Sequence, residues 1–294
     1  MNFLEQAKKG QGNAGTYVLT ISIALLALII GQIFVEILAN KFLGYSLVNI
    51  PDTADLNLAL SLLLIPFGFL LIALALCVKH LHKRSVLSLF TSRVSFDWKR
   101  FFVAFSIWGA FLVLSMILSI ISGYQIEWNF NPSAFFSLVL VSVFLLPIQT
   151  TAEEALFRGY LFQGFGALFR KGWIAIILSA VLFGLLHWTN PEVAKIGDIL
   201  LVFYIGTGVF LGILVHMDDG LELSMGYHAI NNIFASLIIT NEWQVFHTDA
   251  LFIDKSPPAF GWEVILTLIV LQPLLLFLFS RIYKWKNWKE KLLK

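Results

Sequence analysis

Eight apolar runs, at roughly 17–39, 56–78, 101–122, 134–168, 173–189, 198–215, 221–239 and 260–282, take up most of this 294-residue chain. A helix needs about 20 apolar residues to cross a bilayer. The runs therefore point to an all-α, polytopic membrane helix bundle with about eight transmembrane helices. Composition agrees, with 59% hydrophobic and 13% charged residues, where a soluble domain carries about 25% charged. The fourth run exceeds one bilayer thickness, and Pro147 is expected to divide or kink it. The first run follows Lys8 and Lys9 as a signal core would, but signal cores span only about 7–15 residues. It is read as a retained span. No polar stretch is long enough to bury a core of its own, and the single cysteine, Cys77, excludes a disulfide framework and a cysteine-based zinc site.

Basic residues set the expected orientation. With the N-terminus inside, the inner segments hold Lys8 and Lys9, six residues from Lys79 to Arg100, Arg170 and Lys171, and six from Arg281 to Lys294. The outer loops hold only Lys41, Lys195 and Lys255. Both termini are thus expected in the cytoplasm. The chain divides into residues 1–133, three helices and a basic loop; 134–240, a helical core; and 241–294, an outer loop, the last span and a basic tail. His80, His82, His216 and His247 fall near helix ends or in loops and are expected to be solvated.

Polar residues interrupt the core runs, at Glu153, Glu154 and Arg158, at His187 after Phe183, and at His228 with Asn231 and Asn232. A charged side chain at mid-bilayer costs about 2.5–3.5 kcal/mol on insertion scales, so it marks a functional site by default. Glu154 and Arg158 are four apart and share a helix face, where they can pair. Glu153 lies about 100° around the helix, free to face a cavity. Phe183 with His187, and His228 with Asn232, repeat the four-residue spacing and present two side chains to one side. At about 1.5 Å per residue, Glu153 and His187 both stand roughly 24–26 Å from the expected turn at Arg170-Lys171. His228 is only about 13 Å from the Asp219 turn on the same rise, so that turn must be short or partly embedded.

The segments EEALFRG at 153–159, FGLLH at 183–187 and HAINN at 228–232 resemble the three signature motifs of the CAAX-protease and bacteriocin-processing family of intramembrane endopeptidases, to which the Ras-converting endopeptidases belong. The resemblance covers about residues 134–240. It implies hydrolysis of a peptide bond in a membrane-associated peptide or protein, in contact with lipid and without nucleic acid. On that reading Glu153 is the general base on a water, and His187 holds the same water and shuttles a proton. His228 and Asn232 donate to the oxyanion, Glu154 paired with Arg158 fixes the helix, and Phe183 shapes the substrate pocket. No cofactor is required. The chemical alternative is a zinc ion on Glu153, His187 and His228 with water in the fourth position. A non-catalytic scaffold has no need of the full set of polar residues, and a transporter would favour inverted repeats and broken helices, which are not evident. Short loops point to a bacterial member in the inner membrane.

Overall fold

The computed structural model describes residues 2–47 and 55–293; Lys294, counted above among the inner residues, lies outside them. The chain is a polytopic membrane protein built on a helical bundle. Its principal helices are α1 (Ala14–Phe42), α2 (Leu56–His80), α3 (Trp98–Ile121), α4 (Pro132–Phe169), α5 (Gly172–Leu186), α6 (Leu200–Asp218), α7 (Glu222–Ile233) and α8 (Trp262–Ile282). Seven of them are long and apolar enough to cross a membrane. The run at 221–239 forms α7, which continues only as far as Ile238 and is buried along most of its length. It is thus a short inner helix with polar neighbours, where the sequence suggested an eighth full span. Residues such as Leu26, Ile33, Phe144 and Ile269 are exposed on the other helices, and their apolar surface suits lipid. Helices are the natural solution here because every backbone polar group in hydrocarbon needs a partner within the chain.

Local chemistry marks where helices start. Asn13 caps α1 in a reciprocal capping box with Thr16, Asp55 accepts from the Asn57 and Leu58 amides, and Asp97 accepts from those of Lys99 and Arg100. Asn131 caps α4, with Pro132 in the first turn. Arg170 and Asp219 adopt the left-handed conformation and end α4 and α6, which places the expected turns where the basic pair and the acidic pair stand. Pro147 neither divides nor ends α4. Its helix runs from Pro132 through Glu154 and then widens into π geometry over Ala155–Leu161 before closing again at Phe162. A second π segment, Phe234–Ile238, ends α7.

The basic segments gather at one end of the bundle, as the charge count requires. The Phe3 amide donates to Asp219 Oδ1, and Lys291 Nζ to Asp219 Oδ2 at 2.6 Å. Arg93 bridges Asp218 and Glu222, and Arg100 and the Trp285 indole both donate to Asp218. The loop after α6 is embedded: Leu221 is fully buried, its amide donates to Phe90 O, and Thr91 bridges to Gly220.

Two of the four histidines expected in solvent are buried. His82 is held by Gln11 O, Thr20 and Tyr160, and burial beside Arg84 keeps its imidazole below the ordinary histidine range. His216 Nε2 donates to Lys291 O at 2.6 Å. Helix-end position alone missed both, because the terminal segments fold back over these ends. At the opposite end a small sheet departs from pure α structure. Strands β1 (Ile126–Trp128), β2 (Ile239–Thr240) and β3 (Phe252–Asp254) lie in the order β1-β3-β2, antiparallel then parallel.

Helix α7 lies hard against α3. A Cβ on Gly226 would stand 2.1 Å from the Phe101 carbonyl oxygen, and Trp108 stacks on Tyr227 at 4.6 Å. Backbone cannot yield as a side chain can. Gly226→Ala is therefore expected to destabilise the protein by about 1–3 kcal/mol, read as a lower unfolding midpoint in detergent.

Candidate active site

Helices α4, α5, α6 and α7 bring the three motifs together. Glu154 is fully buried, and its Oε1 accepts from Arg158 Nη1 at 3.0 Å and from His228 Nδ1 at 3.0 Å. The expected Glu154–Arg158 pair is thus present, within one helix and at zero exposure for both side chains. Arg158 sits in the π segment. π turns are frequent at functional sites, and the motif's own spacing gave no sign of this one.

Glu153 occupies a different setting. Its side chain is 13% exposed, and Oε2 lies 3.6 Å from His228 Nε2, too long for a hydrogen bond. Among the described residues that oxygen has no hydrogen-bond partner. One imidazole therefore stands between two carboxylates, bonded to one and adjacent to the other. Because Nδ1 donates to Glu154, an N–H at Nε2 exists only when the ring carries both protons.

Asn232 is the member of the asparagine pair that joins the group. Its Nδ2 donates to Gln149 Oε1 at 3.0 Å and lies 3.5 Å from His228 Nε2. Asn231 instead accepts from the Trp108 indole at 3.2 Å, which binds α7 to α3. Gln149 escaped the sequence reading, although it stands four residues before Glu153 and shares its helix face.

His187 belongs to the same neighbourhood through aromatic contacts. Its Nδ1 donates to Phe183 O at 2.8 Å, which leaves Nε2 as the acceptor of the neutral ring. Phe183 is buried between the imidazoles, its centroid 4.4 Å from His187 and 6.1 Å from His228. The Arg158 guanidinium lies 3.9 Å from the same ring, a cation–π contact that helps hold a charge in an apolar bundle. Tyr204 of α6 stacks on His187 at 4.3 Å, and its hydroxyl donates to the buried Glu192. Tyr204 and Glu192 were also missed. A tyrosine and a lone carboxylate carry no motif, and only the fold brings them to His187.

Among the described residues no three His, Cys, Asp or Glu side chains are set to hold a metal ion. A zinc site on Glu153, His187 and His228 would need their side chains to move. The arrangement as it stands offers an acceptor carboxylate, amide and imidazole groups beside it, and a buried cation, which is the equipment of general acid–base chemistry.

Residues 132–234 match the family model described as type II CAAX prenyl endopeptidase Rce1-like. All three motifs fall inside that segment. The chain is also similar to the uncharacterized protein YyaK of Bacillus subtilis (strain 168), at 28% identity over 221 residues, which is 74% of this chain and 71% of that one. No solved structure matches.

Proposed function

We propose that this chain, whose residues 132–234 match the Rce1-like model of type II CAAX prenyl endopeptidases, hydrolyses a peptide bond of a membrane-associated peptide or protein with a water activated by Glu153. The observation that carries this reading is the division of labour between adjacent carboxylates. Glu154 is fully buried with Oε1 held by both Arg158 and His228, whereas Glu153 is 13% exposed beside His228 and its side chain makes no hydrogen bond with a described residue.

In this scheme Glu153 takes a proton from the water as its oxygen adds to the scissile carbonyl carbon. The oxyanion that forms accepts from Asn232 Nδ2 and, once the ring carries both protons, from His228 Nε2. Glu154 balances that charge through Nδ1. The C–N bond then breaks as the proton held by Glu153 passes by way of His187 Nε2 to the leaving amine, which returns Glu153 to the carboxylate. Phe183 walls the site, and Gln149 keeps the Asn232 amide turned toward it. Both termini lie in the cytoplasm of this scheme, in keeping with the basic end of the bundle, and the Bacillus relative favours a bacterial membrane.

The test is cleavage of a membrane-peptide library by the full-length protein in detergent or proteoliposomes, with and without a chelator. Cleavage that survives the chelator and is lost in His187→Ala supports the scheme. Loss with chelator and recovery with zinc would transfer the role of Glu153 to a metal ligand. In the same assay Asn232→Ala is expected to lower kcat by about 10²–10³-fold, the usual cost of one oxyanion donor, with a much smaller change in KM.

A further inference from the structure

We propose that Asp55, Asn57 and Asp249, at the end of the bundle opposite the basic segments, form a binding site for a hard divalent cation of the calcium class. The site stands apart from the glutamate centre and does not depend on the reading of that centre. It is a cavity of about 390 Å³ between the first turn of α2, the first turns of α4 at Ser133 and Ser137, and Asp249 in the segment joining β2 to β3.

Asp55, Asn57 and Asp249 line this cavity, and each has an oxygen with no hydrogen-bond donor among the described residues. Asn57 is only 3% exposed, and its Nδ2 donates to Ala134 O at 2.8 Å. That bond fixes the orientation of the amide, and the buried Oδ1 is left without a partner among the described residues. Asp55 uses Oδ1 to accept the Asn57 and Leu58 amides, both at 3.0 Å, so Oδ1 answers the positive end of α2, and Oδ2 accepts no hydrogen bond from a described residue. Asp249 is half-buried and makes no hydrogen bond or ion pair with a described residue. Among the described residues the lining contains no lysine or arginine to neutralise either carboxylate.

A buried amide oxygen without a donor costs about 1–3 kcal/mol, and two carboxylates facing one cavity repel. A cation relieves both at once. The donors are all oxygen, with neither imidazole nor thiolate among them, and such a set selects calcium or magnesium over zinc. The cavity is wide enough for the ion to keep several waters, and calcium tolerates the irregular geometry better than magnesium does. Such an ion would pin the segment after β2 to the starts of α2 and α4. The rival explanation is a proton on Asp249 in place of the metal.

Full-length protein, stripped with EDTA in detergent, is titrated with Mn²⁺ and followed by electron paramagnetic resonance, with Ca²⁺ as competitor. One saturable Mn²⁺ per chain is expected, displaced by Ca²⁺, and at least tenfold weaker in both Asp249→Asn and Asp55→Asn. Ca²⁺ should raise the unfolding temperature of the wild type and leave the variants unmoved. Asparagine still caps a helix, so Asp55→Asn tests the idea even if Asp249→Asn fails to fold. Absence of a stoichiometric Mn²⁺ site in the wild type, or equal Mn²⁺ affinity in the folded variants, overturns the proposal in favour of the proton.

Discussion

Glu153→Gln is expected to reduce cleavage by about 10²–10⁴-fold, the contribution of a positioned general base, while the protein unfolds at nearly the same point as the wild type. The two halves of this expectation come from the same geometry. Among the described residues the Glu153 side chain makes no hydrogen bond, and His228 Nε2 lies 3.6 Å from its Oε2. An amide of equal size removes the base and little else. Glu154→Gln serves as the contrast, because its Oε1 ties Arg158 to His228. That variant should lose activity and stability together. Turnover near wild type in Glu153→Gln, measured on a substrate that the wild type cleaves, would remove Glu153 from the mechanism.

The largest effect on stability is expected at Arg158. Arg158→Met leaves Glu154 as a carboxylate at zero exposure, with only His228 to answer its charge. Truncating one partner of a buried pair costs about 3–5 kcal/mol. The guanidinium also lies 3.9 Å from the Phe183 ring, a contact that methionine replaces only in part. Adding Glu154→Gln to Arg158→Met should restore much of the loss, since the double variant buries no unpaired charge. Denaturant unfolding in detergent micelles measures both. An unfolding midpoint for Arg158→Met equal to that of the wild type would mean that the pair is not buried in the working protein.

Several features of this molecule are legible at short range along the chain. The lengths of the apolar runs set the helical bundle, and the basic residues mark the end where the termini meet Asp219. Four-residue spacing placed Glu154 with Arg158 on one face and His228 with Asn232 on another. In each case the information lies within one or two helical turns, where backbone geometry relates the residues without reference to the rest of the fold.

Other features needed the tertiary structure. His228 lies 74 residues from Glu154, and Asn232 lies 83 residues from Gln149; no local period relates such positions. Tyr204 stacks on His187 because α5 and α6 cross closely, with Gly184 against Ile205 and Gly208 against Ala180. Hydropathy at 221–239 suggested a full span, but α7 is the short polar helix that the others enclose. His82 and His216 sit at helix ends, and the terminal segments that bury them are invisible to a rule based on position. The sequence by itself determined which residues share a helix face. Which faces meet, and so that His228 bonds Glu154 and stands beside Glu153, was decided only by close packing between helices distant in the chain.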